Sequence, residues 1–99
     1  MNLKPNVNLK NIHPKLVTAL VVCEWIYKTY GIELTLTSVN DSKHGKNSLH
    51  PCGQAADLRT WNLTTEQQRE ITKKIKEAVG SEFDVVLESD HIHIEYDPK

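Results

Sequence analysis

The sequence predicts an α+β domain in which helices pack on one face of a small antiparallel sheet. Two segments carry apolar residues at three- and four-residue steps, the period of a half-buried helix. Others alternate with period two, as strands do. The short Ser89-Asp90 connection joins two of these alternating segments, which forces them to run antiparallel.

The elements follow in chain order. Residues 1–12 are mostly polar and are expected to lie on the surface as the leading segment of a single 1–99 domain. Pro14 suits the first helical position, where a missing N–H costs nothing. Leu16, Ala19, Leu20, Cys23, Ile26, Tyr27 and Tyr30 then share one helix face, and Gly31 offers a left-handed stop. Ile32 to Thr37 alternates cleanly as a strand. Residues 38–53 are rich in Ser, Asn, Gly, His and Pro and read as a long loop, a kind of segment that in a compact domain is usually functional or disordered. Gln54 to Thr60 is a second, shorter strand. Thr65 and Gln68 have capping-box spacing, and the helix they open buries Ile71, Ile75, Ala78 and Val79 before Gly80 ends it. Phe83 to Glu88 and His91 to Tyr96 complete a hairpin. The expected order is α-β-β-α-β-β.

Composition excludes several functions. Twelve basic residues against thirteen acidic ones leave a net charge of −1, which argues against a nucleic-acid binder relying on bulk charge. No apolar run is long enough to span a membrane. The first residues lack the apolar core of a secretory signal, so synthesis in the cytoplasm is expected. Two cysteines, Cys23 and Cys52, cannot build a disulfide framework. A metal would be a useful staple for a chain this short.

The chemistry-bearing residues concentrate in two places. Side chains alternate across a strand, so His91, His93 and Glu95 face one way and Ile92, Ile94 and Tyr96 the other. The apolar row enters the core, and both imidazoles can reach one pocket. Ahead of them, Ser48-Leu49-His50 and Asp57 supply a further imidazole and a carboxylate. Two histidines and a carboxylate suffice to hold Zn²⁺ while leaving a position for water. Glu88 and Asp90 flank the last strand and are the carboxylates available to take a proton. Cys52 reads as a small loop residue, because a thiolate would close the open position. Trp25 and Trp61 read as packing residues, and the Lys73-Lys74-Lys76 cluster as a solvated helix face.

These residues resemble a known family. Ser48, His50, Gly53, Ala55 and Asp57 match the S-x-H-x-x-G-x-A-x-D motif of the zinc D-Ala-D-Ala carboxypeptidases and phage L-alanyl-D-glutamate endopeptidases, and Asp90-His91-Ile92-His93 is similar to that family's second motif. The likeness covers Ile32 to Tyr96. The spacing of His44 and His50 also resembles the Hedgehog signalling domain, which shares that fold and zinc site. The resemblance implies that His50, Asp57 and His93 bind zinc, that Asp90 or Glu88 is the catalytic acid or base, and that His91 lines the site and steadies the oxyanion. It implies Lys43, His44 and Ser48 as substrate-side residues. Lys43 stands where the family often has an arginine for a substrate carboxylate, and a lysine is a point charge rather than a planar fork. The implied function is a phage-encoded metallopeptidase that acts, as a monomer, on an amide bond of peptidoglycan stem peptides after release from the cytoplasm. The alternative is a catalytically silent zinc-binding module of the same fold. A metal-dependent nuclease is a third reading, disfavoured by the lack of basic excess.

Overall fold

The computed structural model describes residues 1–10, 12–41 and 54–98. Its elements are β1 (Asn2–Leu3), α1 (Pro14–Thr29), β2 (Thr35–Asp41), β3 (Gln54–Arg59), α2 (Thr65–Val79), β4 (Phe83–Leu87) and β5 (His91–Tyr96). The strands form one open sheet in the order β1-β2-β3-β5-β4. The α+β class is as the sequence predicts. The sheet, however, is mixed rather than antiparallel, because β1 runs parallel to β2.

Residues 1–12, expected to lie on the surface, are mostly exposed, but they also contribute a strand that the sequence reading does not foresee. The amide of Asn2 donates to the Leu34 carbonyl at 2.8 Å and that of Lys4 to Leu36 at 2.9 Å. Val7, Leu9 and Ile12 then pack, partly buried, against the core. Three apolar side chains among polar neighbours are enough to hold the segment down.

Helix α1 begins as its residues dictate. Pro14 sits in the first turn, and His13 caps the end by accepting the Lys15 N–H through Nδ1 at 3.0 Å. Its buried face is Leu16, Ala19, Leu20, Cys23 and Tyr27. Tyr27 is fully enclosed and donates its hydroxyl to the Arg59 carbonyl at 2.9 Å, so the ring buries apolar surface without stranding a polar atom. In α2 the capping box lies one residue earlier than the spacing suggests. Thr64 is the cap, its hydroxyl accepts from Gln67 N at 3.1 Å, and Gln67 Oε1 accepts from Thr64 N at 3.0 Å. Both Thr64 and Thr65 have glutamine three residues on, so the motif alone is ambiguous by one position. Gly80, with φ of +84°, ends the helix in a conformation that favours glycine.

Strand β2 begins later than predicted and runs into the stretch read as loop. Leu34 and Leu36 still enter the core, but the register shifts between Leu36 and Ser38. Leu36 pairs with Leu58, Ser38 with Asp57 and Val39 with Ala56. This bulge reverses the phase of the alternation, so Val39 packs against the core and Ser38 stands beside Asp57.

A single core cluster contains Leu16, Leu20, Cys23 and Tyr27 of α1, Ile71 and Ile75 of α2, and Leu36, Ala56, Leu58, Val85, Ile92 and Ile94 of the sheet. Both helices therefore cover one face of the sheet. Ile92 and Ile94 are fully buried at its centre, where each contributes about 1.5–3 kcal/mol relative to exposure. The intervening residues His91, His93 and Glu95 consequently stand on the other face. Trp25 and Trp61 do not pack inside: they are 69% and 73% exposed. No helix among the described residues is long and apolar enough to cross a membrane.

Candidate metal centre

The strand pairing brings three predicted site residues together. β3 and β5 run antiparallel with Asp57 directly opposite His93 and Arg59 opposite His91. Directly opposed residues on one sheet face have side chains close enough to interact. One ligand atom from each of Asp57, His91 and His93 lies within 4.8 Å of the others, and all three residues are half-buried.

Asp57 is the hub of this group. Its Oδ1 is 2.9 Å from His93 Nδ1 and 3.5 Å from His91 Nε2. The far nitrogen of each imidazole is held by a separate carboxylate. His91 Nδ1 meets Asp90 Oδ1 at 2.6 Å, and His93 Nε2 meets Glu95 Oε1 at 3.1 Å. The two rings are 6.5 Å apart and inclined at 72°. Each histidine thus presents one nitrogen toward Asp57 while the other anchors its ring. Metal-binding histidines are commonly fixed in this manner, because the outer carboxylate sets the tautomer and raises ligand basicity.

The donor set fits a borderline divalent cation such as Zn²⁺, which takes imidazole nitrogen and carboxylate oxygen. Tetrahedral bonds of about 2.0–2.1 Å place neighbouring donors roughly 3.3 Å apart. The separations of 2.9 and 3.5 Å around Asp57 bracket that value. Side-chain adjustment of about 1.5 Å closes even a 4.8 Å separation, the widest the group permits, to that spacing.

The protonation of His93 follows from its surroundings. Burial disfavours the imidazolium, but hydrogen bonds to Glu95 and Asp57, together with their charges, outweigh it and raise the pKa above the ordinary imidazole value. In the metal-free protein the ring therefore holds its proton to higher pH than usual, donating from both nitrogens. A metal must displace that proton to bind.

Other sequence candidates take different places. Asp90 is 83% exposed and acts on His91 rather than on the open face of the cluster. Glu88 lies at the exposed end of β4, and its backbone amide donates to the His91 carbonyl at 2.8 Å. Lys43, His44, Ser48 and His50 lie outside the described residues, as does Cys52. Glu95 is the site residue whose role the sequence reading missed. The alternation already placed it on the face of His91 and His93, and that was the available signal.

The environment of the cluster is polar and open. Asp84 and Val86 of β4 pair with Glu95 and His93, and Val86 is 46% exposed. No protein-family model, no curated protein and no solved structure matches this chain.

Proposed function

We propose that the helix-free face of the sheet is a zinc site for amide-bond hydrolysis, acting on peptidoglycan stem peptides, on the Hedgehog/D-Ala-D-Ala peptidase fold. The observation that carries the metal is the double arrangement Asp90–His91 and Glu95–His93 converging on Asp57. The amide chemistry and the peptidoglycan substrate rest on the resemblance of the two sequence motifs.

Asp57, His93 and either His50 or His91 would hold the ion. The motif resemblance favours His50, and the described geometry offers His91. When bound, zinc supplies Lewis acidity to a scissile carbonyl and acidity to a bound water. The residues around it supply the rest. Glu95 fixes the His93 ring by accepting from Nε2, so that Nδ1 faces Asp57. Asp90 does the same for His91 through Nδ1. If His91 is not a ligand, its imidazolium form, with Nδ1 held by Asp90, would donate from Nε2 to an oxyanion formed beside Asp57. Glu88 takes and returns the proton, since Asp90 is already engaged with His91. A phage-encoded enzyme that reaches the wall after release remains the proposed setting.

The test has two readouts. Zinc titration by calorimetry should show one ion per chain, and His93→Ala should abolish that binding. Purified cell walls incubated with the zinc-loaded protein should release new amino termini, and His93→Ala should release none. One zinc per chain without release would favour the silent binding module. Release that is equal in wild type and variant would end the peptidase reading.

A further inference from the structure

Helix α1 is apolar on both sides. Its inner face fills the core, and on its outer face Val17, Val21 and Trp25 follow at four-residue steps, 37%, 48% and 69% exposed. Pro14, Thr18 and Val22 lie beside them, and none of these six outer positions is charged. A solvated helix face reads otherwise: the outer side of α2 carries Glu66, Arg69, Glu70, Lys73 and Glu77.

Between α1 and the end of α2 the apolar band opens into a groove of about 490 Å³, walled by Pro14, Thr18, Val22, Ala78, Val79 and Phe83. The polar groups around it already have partners. The Thr18 hydroxyl donates to the Pro14 carbonyl at 3.2 Å, and at the rim Lys15 Nζ meets Glu82 Oε1 at 3.3 Å. Covering this surface therefore removes apolar area from water at little desolvation cost.

We propose that this face is the interface of a twofold dimer, in which Trp25 of each copy fills the α1–α2 groove of the other. The spacing along α1 makes the face self-complementary. The groove is centred near the level of Thr18 and the projecting ring is Trp25, so antiparallel α1 helices related by a twofold axis beside Val21 satisfy both halves at once. Val21 then meets its own counterpart across the axis, about 6 Å along the helix from Trp25.

The area agrees with a second copy as the occupant. A tryptophan spans about 250 Å², so Trp25 leaves about 170 Å² bare, and with Val17, Val21 and the groove wall the bare apolar surface is roughly 350 Å² per copy. Two copies bury about 700 Å² of it, and apolar atoms make up about 56–65% of an interface, which gives about 1,100–1,250 Å² in all. That is the low end of specific interfaces, so the dimer forms reversibly at micromolar concentrations. Charge also favours a second copy over a membrane. The rim carries Lys15 and Lys28 against Glu24 and Glu82, whereas a helix lying on lipid has a basic polar face. A net charge of −1 gives two copies almost no repulsion. The helices cover the sheet face away from Asp57, His91 and His93, so both clusters stay open in the dimer.

The experiment is sedimentation velocity on the full chain with a chelator present, from about 5 to 500 µM. The weight-average mass should rise from 11.3 kDa toward twice that value. Val21→Glu and Val21→Lys should each weaken association by more than about tenfold, and an equimolar mixture of the two should restore it, because unlike charges then meet across the axis. Trp25→Ser should weaken it at least as much, while Trp61→Ser, as exposed but outside this face, should not. The wild-type concentration series stands even if a variant fails to fold. A chain that stays at 11.3 kDa throughout, the monomer that the family resemblance implies, would overturn the proposal. So would association that Val21→Glu and Trp25→Ser leave intact. A monomer whose Trp25 emission, followed in a Trp61→Phe background, shifts with phosphatidylglycerol vesicles would give the face to a membrane and equally overturn the dimer.

Discussion

Replacing Asp57 with asparagine preserves the shape of the side chain and removes its charge. In the metal-free protein Asp57 Oδ1 accepts from His93 Nδ1 at 2.9 Å, and an amide oxygen there can still accept. What disappears is the charge-assisted part. A charged hydrogen bond contributes about 1.5–3 kcal/mol and a neutral one about 0.5–1.5. The two side chains remain 24% and 29% exposed, so solvent screening favours the lower end, and the loss is about 1 kcal/mol. For a chain of this size that lowers the midpoint of thermal unfolding by about 4–8 °C. The pH dependence has a definite sign. The His93 pKa is raised in the folded state, so the pair contributes fully below the unfolded value of 6.5 and its contribution fades as pH climbs through the folded value. The deficit of Asp57→Asn should be full near pH 5.5 and smaller at pH 9. Zinc at about a hundred times its dissociation constant should stabilise the wild type by about 2.7 kcal/mol, and the variant far less. Far-UV circular dichroism melts at both pH values, with zinc and with a chelator, provide the assay. Coincident melting curves for the two proteins under all four conditions would refute the hub role of Asp57.

Three other outcomes are expected. Ile94→Ala, at a fully buried site in the interior strand β5, should cost about 2–5 kcal/mol in chemical denaturation, a large share of the total for one small domain. Thr64→Ala removes the cap of α2 and should cost about 0.5–2 kcal/mol, whereas Thr65→Ala should leave stability nearly unchanged, which a pair of urea titrations will separate. Burial pushes the Cys23 thiol up to about 12, so in a Cys52→Ser background the folded protein should resist a thiol reagent at pH 8 and react once denatured.

Much of this architecture was legible in the residues. The helical stripe from Leu16 to Tyr27 and the alternation from His91 to Tyr96 set core against open face, and the structure keeps both assignments. Pairing across the sheet was not legible. Nothing local in Asp57 says that it will stand opposite His93; that follows from where β3 docks against β5. The bulge at Thr37 was hidden for a similar reason. The strand was read as ending where its alternation breaks, yet Val39 resumes the pattern one residue out of phase. The leading strand was missed because a two-residue ladder leaves almost no periodic signal. Trp61 reads in the sequence as a packing residue, yet two residues beyond the end of β3 it stands exposed outside the core.

Strand β5 has hydrogen-bonded neighbours on both sides, β3 and β4, and its inward residues are fully or almost fully buried. Backbone amides in such a position exchange with solvent only when the whole domain opens, whereas edge strands and termini fray at much lower free energy. His91 and His93 therefore ride on the most slowly opening part of the molecule. Their spacing should outlast heating or denaturant that has already loosened the periphery, and be surrendered only in the final cooperative transition.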